Sequence, residues 1–262
     1  MVIKKILIPI DFSDNSKNAL KYGIEVARKT DAKLTLLHAY RLLGPQIGPV
    51  RKSELSLKET LDQNPKENFA DIELKFLKDS GLTYEFQIEI GFIETVIKLI
   101  TQNQPIDMVI MGTRGENHYG NFLGSTTTRV IKEINCPVLA VPSGVRFRDI
   151  GNMLFAGSVG QANVRGIGDV LSAIASIFDA KIHWIDFQPK ASQVRTEKLN
   201  IHKYSHQPVK SKKGFPVQGL NRYIKNNDID LLVVIPGTSD VVETIYQKNT
   251  VSSSQIPFLA VH

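Results

Sequence analysis

Two hydrophobic periods alternate along this chain. Residues 3–10 are a near-continuous apolar run with β-branched members, followed by the turn and cap types Asp11-Phe12-Ser13-Asp14-Asn15-Ser16. Ala19, Leu20, Gly23, Ile24 and Ala27 then recur at three and four residues, the helical period. Asp31-Ala32-Lys33 turns into a second apolar run at 34–39. Strand, helix and strand in this order predict a βαβ unit, whose two strands run parallel.

The alternation continues. Residues 41–52 hold Gly44, Pro45, Gly48 and Pro49 and read as a loop. Residues 53–80 read as helix with a break at Pro65, and Gly81 stands where a helix ends in a left-handed residue. A third strand is predicted over 83–90. An amphipathic helix over 91–102 follows, built on Ile93, Val96, Ile97 and Ile100. Residues 106–111 give a fourth strand, then come a glycine-rich loop, a helix over 125–134 and a fifth strand over 137–142. Strands alternating with helices in this way predict a doubly wound parallel sheet.

The pattern then starts again. Shifted by 148 positions without a gap, Ile6-Leu7 falls on Leu154-Phe155, Asp31-Ala32-Lys33 on Asp179-Ala180-Lys181, and Leu36-Leu37 on Trp184-Ile185. Ile106-Asp107-Met108-Val109-Ile110 matches Ile229-Asp230-Leu231-Leu232-Val233, and Cys136-Pro137-Val138-Leu139-Ala140-Val141 matches Ile256-Pro257-Phe258-Leu259-Ala260-Val261. The expectation is two tandem α/β domains, each a doubly wound five-stranded parallel sheet, over 1–146 and 151–262 with a polar connector near 143–151. The period is too long for a solenoid. Two such copies can pack as the subunits of a dimer do, an intramolecular pseudo-dimer, with a homodimer of whole chains as the other possibility.

Composition narrows the class. Apolar residues make up 42% and charged residues 22% of 262, which is ordinary globular composition and not disorder. No run approaches the length of a membrane span, and Met1–Asp11 reads as a first strand, not as a secretory signal. The single cysteine, Cys136, excludes a disulfide framework within one chain and fits a buried packing residue in a cytoplasmic protein. The net charge of +6 favours an anionic ligand but is a weak signal for nucleic acid. Part of it lies in Lys198, Lys203, Lys210, Lys212 and Lys213, which read as a solvated loop.

In an open parallel sheet a ligand binds beyond the carboxyl ends of the strands, where the strand order switches. Two segments converge there: Pro9-Ile10-Asp11-Phe12-Ser13 after the first strand, and Gly112-Thr113-Arg114-Gly115 after the fourth, with Gly124-Ser125-Thr126-Thr127-Thr128 opening the next helix. Gly112 and Gly115 permit close backbone approach and positive φ. Gly124 precedes a helix N-terminus, whose free N–H groups and dipole favour an anion, and Ser125, Thr126 and Thr127 add hydroxyls. A helix cap and a loop without a ligand fit the same spacing. Asp11 faces this crevice as an acceptor for ribose hydroxyls or a partial ligand for a divalent metal, and also suits the N-cap of the first helix.

Together these residues resemble the universal stress protein family. The resemblance is carried by Ile6-Leu7-Ile8-Pro9-Ile10-Asp11-Phe12-Ser13, by Leu36-Leu37-His38-Ala39, by Gly112-x-x-Gly115 leading to Gly124-Ser125, and by Asn135-Cys136-Pro137-Val138-Leu139-Ala140-Val141-Pro142. It implies the fold of the adenine nucleotide alpha hydrolases and, for the nucleotide-binding branch, ATP with Mg²⁺. Carried over, Asp11 meets the ribose or metal and the Ala39 backbone meets adenine. Gly112 and Gly115 line the ribose and phosphate path, and Gly124, Ser125 and Thr126 hold phosphate. His38 belongs to the strand pattern and reads as structural. One departure is that the family places nine residues between the second and third glycines, where residues 116–123 give eight. In the second half Val159 falls opposite Asp11 under the ungapped shift, and 235–240 has no Gly-x-x-Gly, so that half reads as a partner that binds no nucleotide.

No P-loop, no nucleophile elbow and no adenylyl-transfer signature occurs in the sequence. Three functions stay open at this point. They are a nucleotide binder acting in stress response or signalling through protein association, a scaffold that no longer binds nucleotide, and a slow ATPase. The ligand class leaves ATP, AMP and cyclic nucleotides together.

Overall fold

A computed structural model describes residues 2–41, 65–113, 124–156, 167–185, 204–206, 217–236 and 256–262. The predicted loop 42–52, the front of the helix at 53–64, Arg114, Gly115 and His118 of the glycine loop, Val159, His202, most of the basic segment 198–214 and the segment 237–255 lie outside the described residues.

The first half runs β1 (Lys5–Pro9), α1 (Asp14–Thr30), β2 (Lys33–Tyr40), α2 (Pro65–Ile72), β3 (Tyr84–Ile90), α3 (Ile93–Asn103), β4 (Met108–Gly112), α4 (Ser125–Glu133) and β5 (Val138–Val141). The second runs β6 (Asn152–Ala156), α5 (Ile167–Phe178), β7 (Lys181–Ile185), β8 (Tyr204–His206), α6 (Val217–Asn226), β9 (Leu231–Val234) and β10 (Phe258–Ala260). Pro65 is the first described residue of α2, and α2 runs on as one wider turn over Glu73–Leu77. Gly81 has φ 72°, as its predicted place after a helix requires.

All strands join one ten-stranded sheet in the order β3-β2-β1-β4-β5-β10-β9-β6-β7-β8. The strand order of the first half recurs, reversed in direction, in the second. Every neighbouring pair is parallel except β5 with β10, which is antiparallel at the centre. There Phe258 pairs with Ala140, Leu259 with Leu139 and Ala260 with Val138. The seam is reciprocal about Leu139 and Leu259, as in an isologous contact. Two separate sheets were expected; the antiparallel seam makes them one.

Side-chain alternation divides the apolar residues between two cores. Ile6, Ile8, Leu34 and Leu36 face α1 and α2, and Met153, Phe155 and Trp184 continue that core under α5. Leu7, Leu37 and Val109 face α3 and α4, and Leu154, Val234 and Phe258 continue it under α6. Strands buried on both faces need the continuous apolar runs that the sequence has. The helical face predicted from Ala19, Leu20, Gly23, Ile24 and Ala27 is the buried face of α1. Gly23 lets α1 pack closely there: a Cβ would stand 2.5 Å from Cδ1 of Ile8, whose terminal methyl would have to shift.

The register corrects the ungapped match. Lys33 N–H donates to Lys4 O (2.8 Å), and Lys181 N–H donates to Gly151 O (2.8 Å). Asp107 accepts from the N–H groups of Lys4 and Lys5, and Asp230 from those of Gly151 and Asn152. Ile6 therefore corresponds to Met153 and Leu7 to Leu154, a shift of 147, while Asp31 and Asp179, both left-handed at a helix end, keep the shift of 148. The second half therefore has one extra residue somewhere between β6 and Asp179. Continued past Ala156, the shift of 147 sets Ser158, not Val159, against Asp11 in the sequence.

A polar chain through the buried His183 holds α6 to the sheet of the second half. Asn152 Nδ2 donates to Asp228 O (3.4 Å), which turns its Oδ1 toward His183 Nε2 (3.2 Å). His183 Nε2–H is then the donor, and Nδ1 accepts from the Tyr223 hydroxyl (3.0 Å). Burial, with the Lys181 charge second, holds the His183 imidazole below its ordinary value. The folded chain therefore takes this proton less readily than the unfolded chain. The contribution is whole above the ordinary imidazole pKa of about 6.5 and is lost as pH falls through the folded value. Thermal unfolding followed from pH 7.5 to 5.5 is expected to show a midpoint that declines on acidification, with a shallower decline in His183→Gln.

Candidate nucleotide site

The site lies at the carboxyl ends of three adjacent strands. Asp11 follows β1, Ala39 lies near the end of β2, and Gly112 ends β4. From β1 the chain builds outward through β2 and β3 on one side and then crosses back to β4 and β5 on the other, so β1–β4 is the switch point of this half.

Ser13, and not Asp11, is the N-cap of α1. Its Oγ accepts from Ser16 N–H (3.2 Å) and donates to Asp11 Oδ1 (2.5 Å), which also takes Ser13 N–H (3.1 Å). Asp11 is thus exposed in an Asx turn, with Oδ2 directed to no described partner. Between them Phe12 has φ 65°. A bulky side chain in this region carries roughly 1–3 kcal/mol of strain, which the surroundings must offset. The Phe12 ring lies 4.7 Å from His38 and 5.3 Å, edge-on, from Phe69 of α2. His38 Nδ1 lies 2.8 Å from Ile10 O. A carbonyl only accepts, so Nδ1 carries the proton. The sequence pattern marked His38 as structural; the contact to Ile10 shows what it holds.

Ala39 is placed by strand parity. Lys33 N–H bonds toward β1 and Leu34 N–H bonds toward β3 at Thr83 O, so odd-numbered β2 residues address β1. The β1–β2 ladder closes with Ile10 N–H on Leu37 O (2.7 Å). The N–H and C=O of Ala39 point to the β1 side just beyond that closure, into the crevice.

Gly112 has a packing reason beside the predicted one. It is extended strand, and a Cβ there would meet Asn15 O at 3.1 Å, so its bareness lets α1 dock on β4. The next residue, Thr113, is buried and its carbonyl accepts from Gly124 N–H. This bond ties the two ends of the glycine loop. Gly124 is the N-cap of α4, at φ −63° and ψ 160°. Ser125 is exposed and Thr126 half-buried at the helix start. Thr127, expected to face a ligand, is buried and spends its hydroxyl on Gly112 O (2.9 Å). The first turn of α4 has no acidic residue, and Arg129 turns to Glu94 of α3 (2.8 Å). Free N–H groups in a first turn that itself carries no carboxylate make this end receptive to an anion.

Cys136 is buried as expected, with Sγ 3.3 Å from Ile106 O; burial foremost pushes its thiol up to about 12, outside any reactive range. Among the described residues no group of three His, Cys, Asp or Glu side chains stands ready to hold a metal, and no helix is long and apolar enough to cross a membrane.

Two universal stress proteins of Methanocaldococcus jannaschii are similar to the chain. One is 31% identical over 140 residues, which is 53% of this chain and 81% of the relative. The other is 31% identical over 156 residues, which is 54% of this chain and 96% of the relative. The crystal structure of a universal stress protein from Archaeoglobus fulgidus DSM 4304 covers 99% of this chain with 96% of its own, at a TM-score of 0.69 and 16% identity, a likeness of fold. Residues 3–142, more than half of the chain, match the universal stress protein family, and the chain belongs to it.

Proposed function

We propose that this protein binds ATP in its first half and acts in stress response or signalling, the bound nucleotide altering its association with other proteins. The observation that carries the reading is the start of α4. N–H groups of a helix first turn with no carboxylate stand at the switch point of the sheet, beside the free backbone of Ala39. In this reading Ser125 and Thr126 add hydroxyls to the phosphates, and the Ala39 N–H and C=O pair with the edge of adenine. Asp11 Oδ2 accepts from the ribose or helps hold Mg²⁺ that arrives with the phosphates; one carboxylate does not make a metal site by itself. Gly115 completes the path as the family pattern implies. The role is binding; nothing among the described residues supplies a base placed for hydrolysis.

The second half is, in the same proposal, a tandem copy that has lost the site and completes a pseudo-dimer within the chain. The register gives Ser158 for Asp11 and Ile235 for Gly112, and Ile235 is buried. An Ile side chain there removes the close docking that Gly112 allows.

A scaffold that binds no nucleotide is the second reading, favoured by the eight residues at 116–123 where the family has nine. Calorimetry of the full chain with ATP, with and without Mg²⁺, separates the two. Saturation at one ATP per chain is the expected result; no heat at millimolar ATP leaves the scaffold. AMP and cyclic AMP titrated in parallel rank the ligand class.

A further inference from the structure

We propose that His38 is the positioning residue of this site: its side chain ends the β1–β2 ladder, and so frees the Ala39 N–H and holds the Phe12 turn that carries Asp11. The part concerning affinity rests on the nucleotide reading above; the part concerning geometry does not.

Strand parity sets the argument. Lys33 N–H bonds to Lys4 O, and the odd residues of β2 continue this direction. Two residues beyond Leu37, the ladder's next bond runs from Ala39 N–H to Ile10 O. In place of that bond, His38 Nδ1–H donates to Ile10 O at 2.8 Å. Ile10 is thereby held through its N–H by the backbone of Leu37 and through its carbonyl by the side chain of His38. The carbonyl is satisfied without Ala39, whose N–H is left to the crevice.

The same ring acts one residue further on. Phe12 sits at φ 65° directly after Asp11, and its ring packs 4.7 Å from His38 while Phe69 closes the other side at 5.3 Å. A residue held in the left-handed region reverses the chain between β1 and α1. Asp11 stays outside the helix, and Ser13 takes the cap. Without the Ile10 clamp and the ring contact, Phe12 gains by relaxing to negative φ. Asp11 and the first turn of α1 would move with it.

The second half supports the assignment by contrast. At the shift of 148 that holds for β7, the counterpart of His38 is Asp186, and at the shift of 147 the counterparts of Asp11 and Phe12 are Ser158 and Val159. An ionised carboxylate has no proton to give a carbonyl. The sequence of that half thus has neither a histidine for the clamp nor an aspartate for the turn at these positions.

The test compares His38→Phe, which keeps a ring and removes the donor, with His38→Asn, whose Nδ2–H stands where Nδ1–H stood. Amide hydrogen exchange at Ala39 and Ser13–Lys17 is read beside ATP calorimetry. In His38→Phe the α1 first turn is expected to lose protection and ATP affinity to fall about tenfold or more. His38→Asn is expected to restore most of both. Wild-type exchange and affinity in His38→Phe, or an Asn variant that fails as Phe does while folded, overturns the proposal. Should His38→Phe not fold, the ¹⁵N shifts of the wild-type imidazole decide: a protonated Nδ1 agrees, and a protonated Nε2 with bare Nδ1 refutes it. If wild type binds no ATP, the nucleotide reading falls, and the exchange comparison still judges His38.

Discussion

Gly124→Asp is expected to lower ATP affinity by about a hundredfold or more and to leave the protein folded. The backbone at Gly124, φ −63° and ψ 160°, is one that Asp adopts without strain, and Asp is among the preferred N-cap residues. Its carboxylate takes an N–H of the first turn of α4, the donors assigned to phosphate. It also sets a negative charge against the incoming polyphosphate, where like charges cost several kcal/mol. The helix is stabilised by the change that closes the site, so binding and folding are expected to move apart. Calorimetry reads the first and thermal unfolding the second, with a midpoint equal to or above wild type. Gly124→Ala, without a charge, is expected to lose less affinity. If Gly124→Asp still binds ATP tightly, the phosphates do not sit at α4.

The elements of the first half were legible because their signals are local and repeated. Apolar runs fixed the strands, and Ala19, Leu20, Gly23, Ile24 and Ala27 fixed the buried face of α1. What the sequence could not assign was which of several capable residues takes a given role. Asp11 and Ser13 both suit an N-cap, and only the turn at Phe12 decides for Ser13. Gly112 was expected to make room for a ligand, and the structure shows that it also makes room for Asn15 of α1. Thr127 belongs to a run of three equivalent hydroxyls, and the helix phase alone sends it inward to Gly112. A positive φ at phenylalanine has no composition signal, so the contact that explains His38 was hidden as well.

The seam and the offset were hidden for another reason. A shift without gaps matches β2 to β7 but slips by one at β1, because apolar runs on both faces of a buried sheet tolerate the slip in composition. Hydrogen bonds do not tolerate it. Asp107 and Asp230, recognised only as a repeated dipeptide with isoleucine, each hold two N–H groups at the start of a strand and thereby fix the register. The antiparallel joining of β5 to β10 follows from neither half alone. Each half ends its sheet in a short apolar strand, and such an edge calls for a partner.

That seam carries the second large effect. Phe258→Ala is expected to cost about 3–5 kcal/mol, the usual range for removing a fully buried phenylalanine. Phe258 is 0% exposed and lies in the strand between β5 of the first half and β9 of the second. It stands opposite Ala140, while the reciprocal pair is Val138 with Ala260. The large side chain is therefore supplied by β10 against a small one on β5, and its loss opens a cavity that residues of both halves line. Leu7, Val109 and Ala140 share its core with Leu154, Leu232 and Val234. Destabilisation should accordingly reach both halves, and the denaturant midpoint should fall while far-ultraviolet circular dichroism and the single tryptophan, Trp184 in β7, report the same transition. Trp184 reports from the second half, where its ring packs 4.7 Å from Phe155. If its signal is lost well before the helical signal, the halves unfold separately and the shared cores do not couple them. Coincident curves shifted together make the ten strands one cooperative unit, with the first half stabilised through the seam by the second.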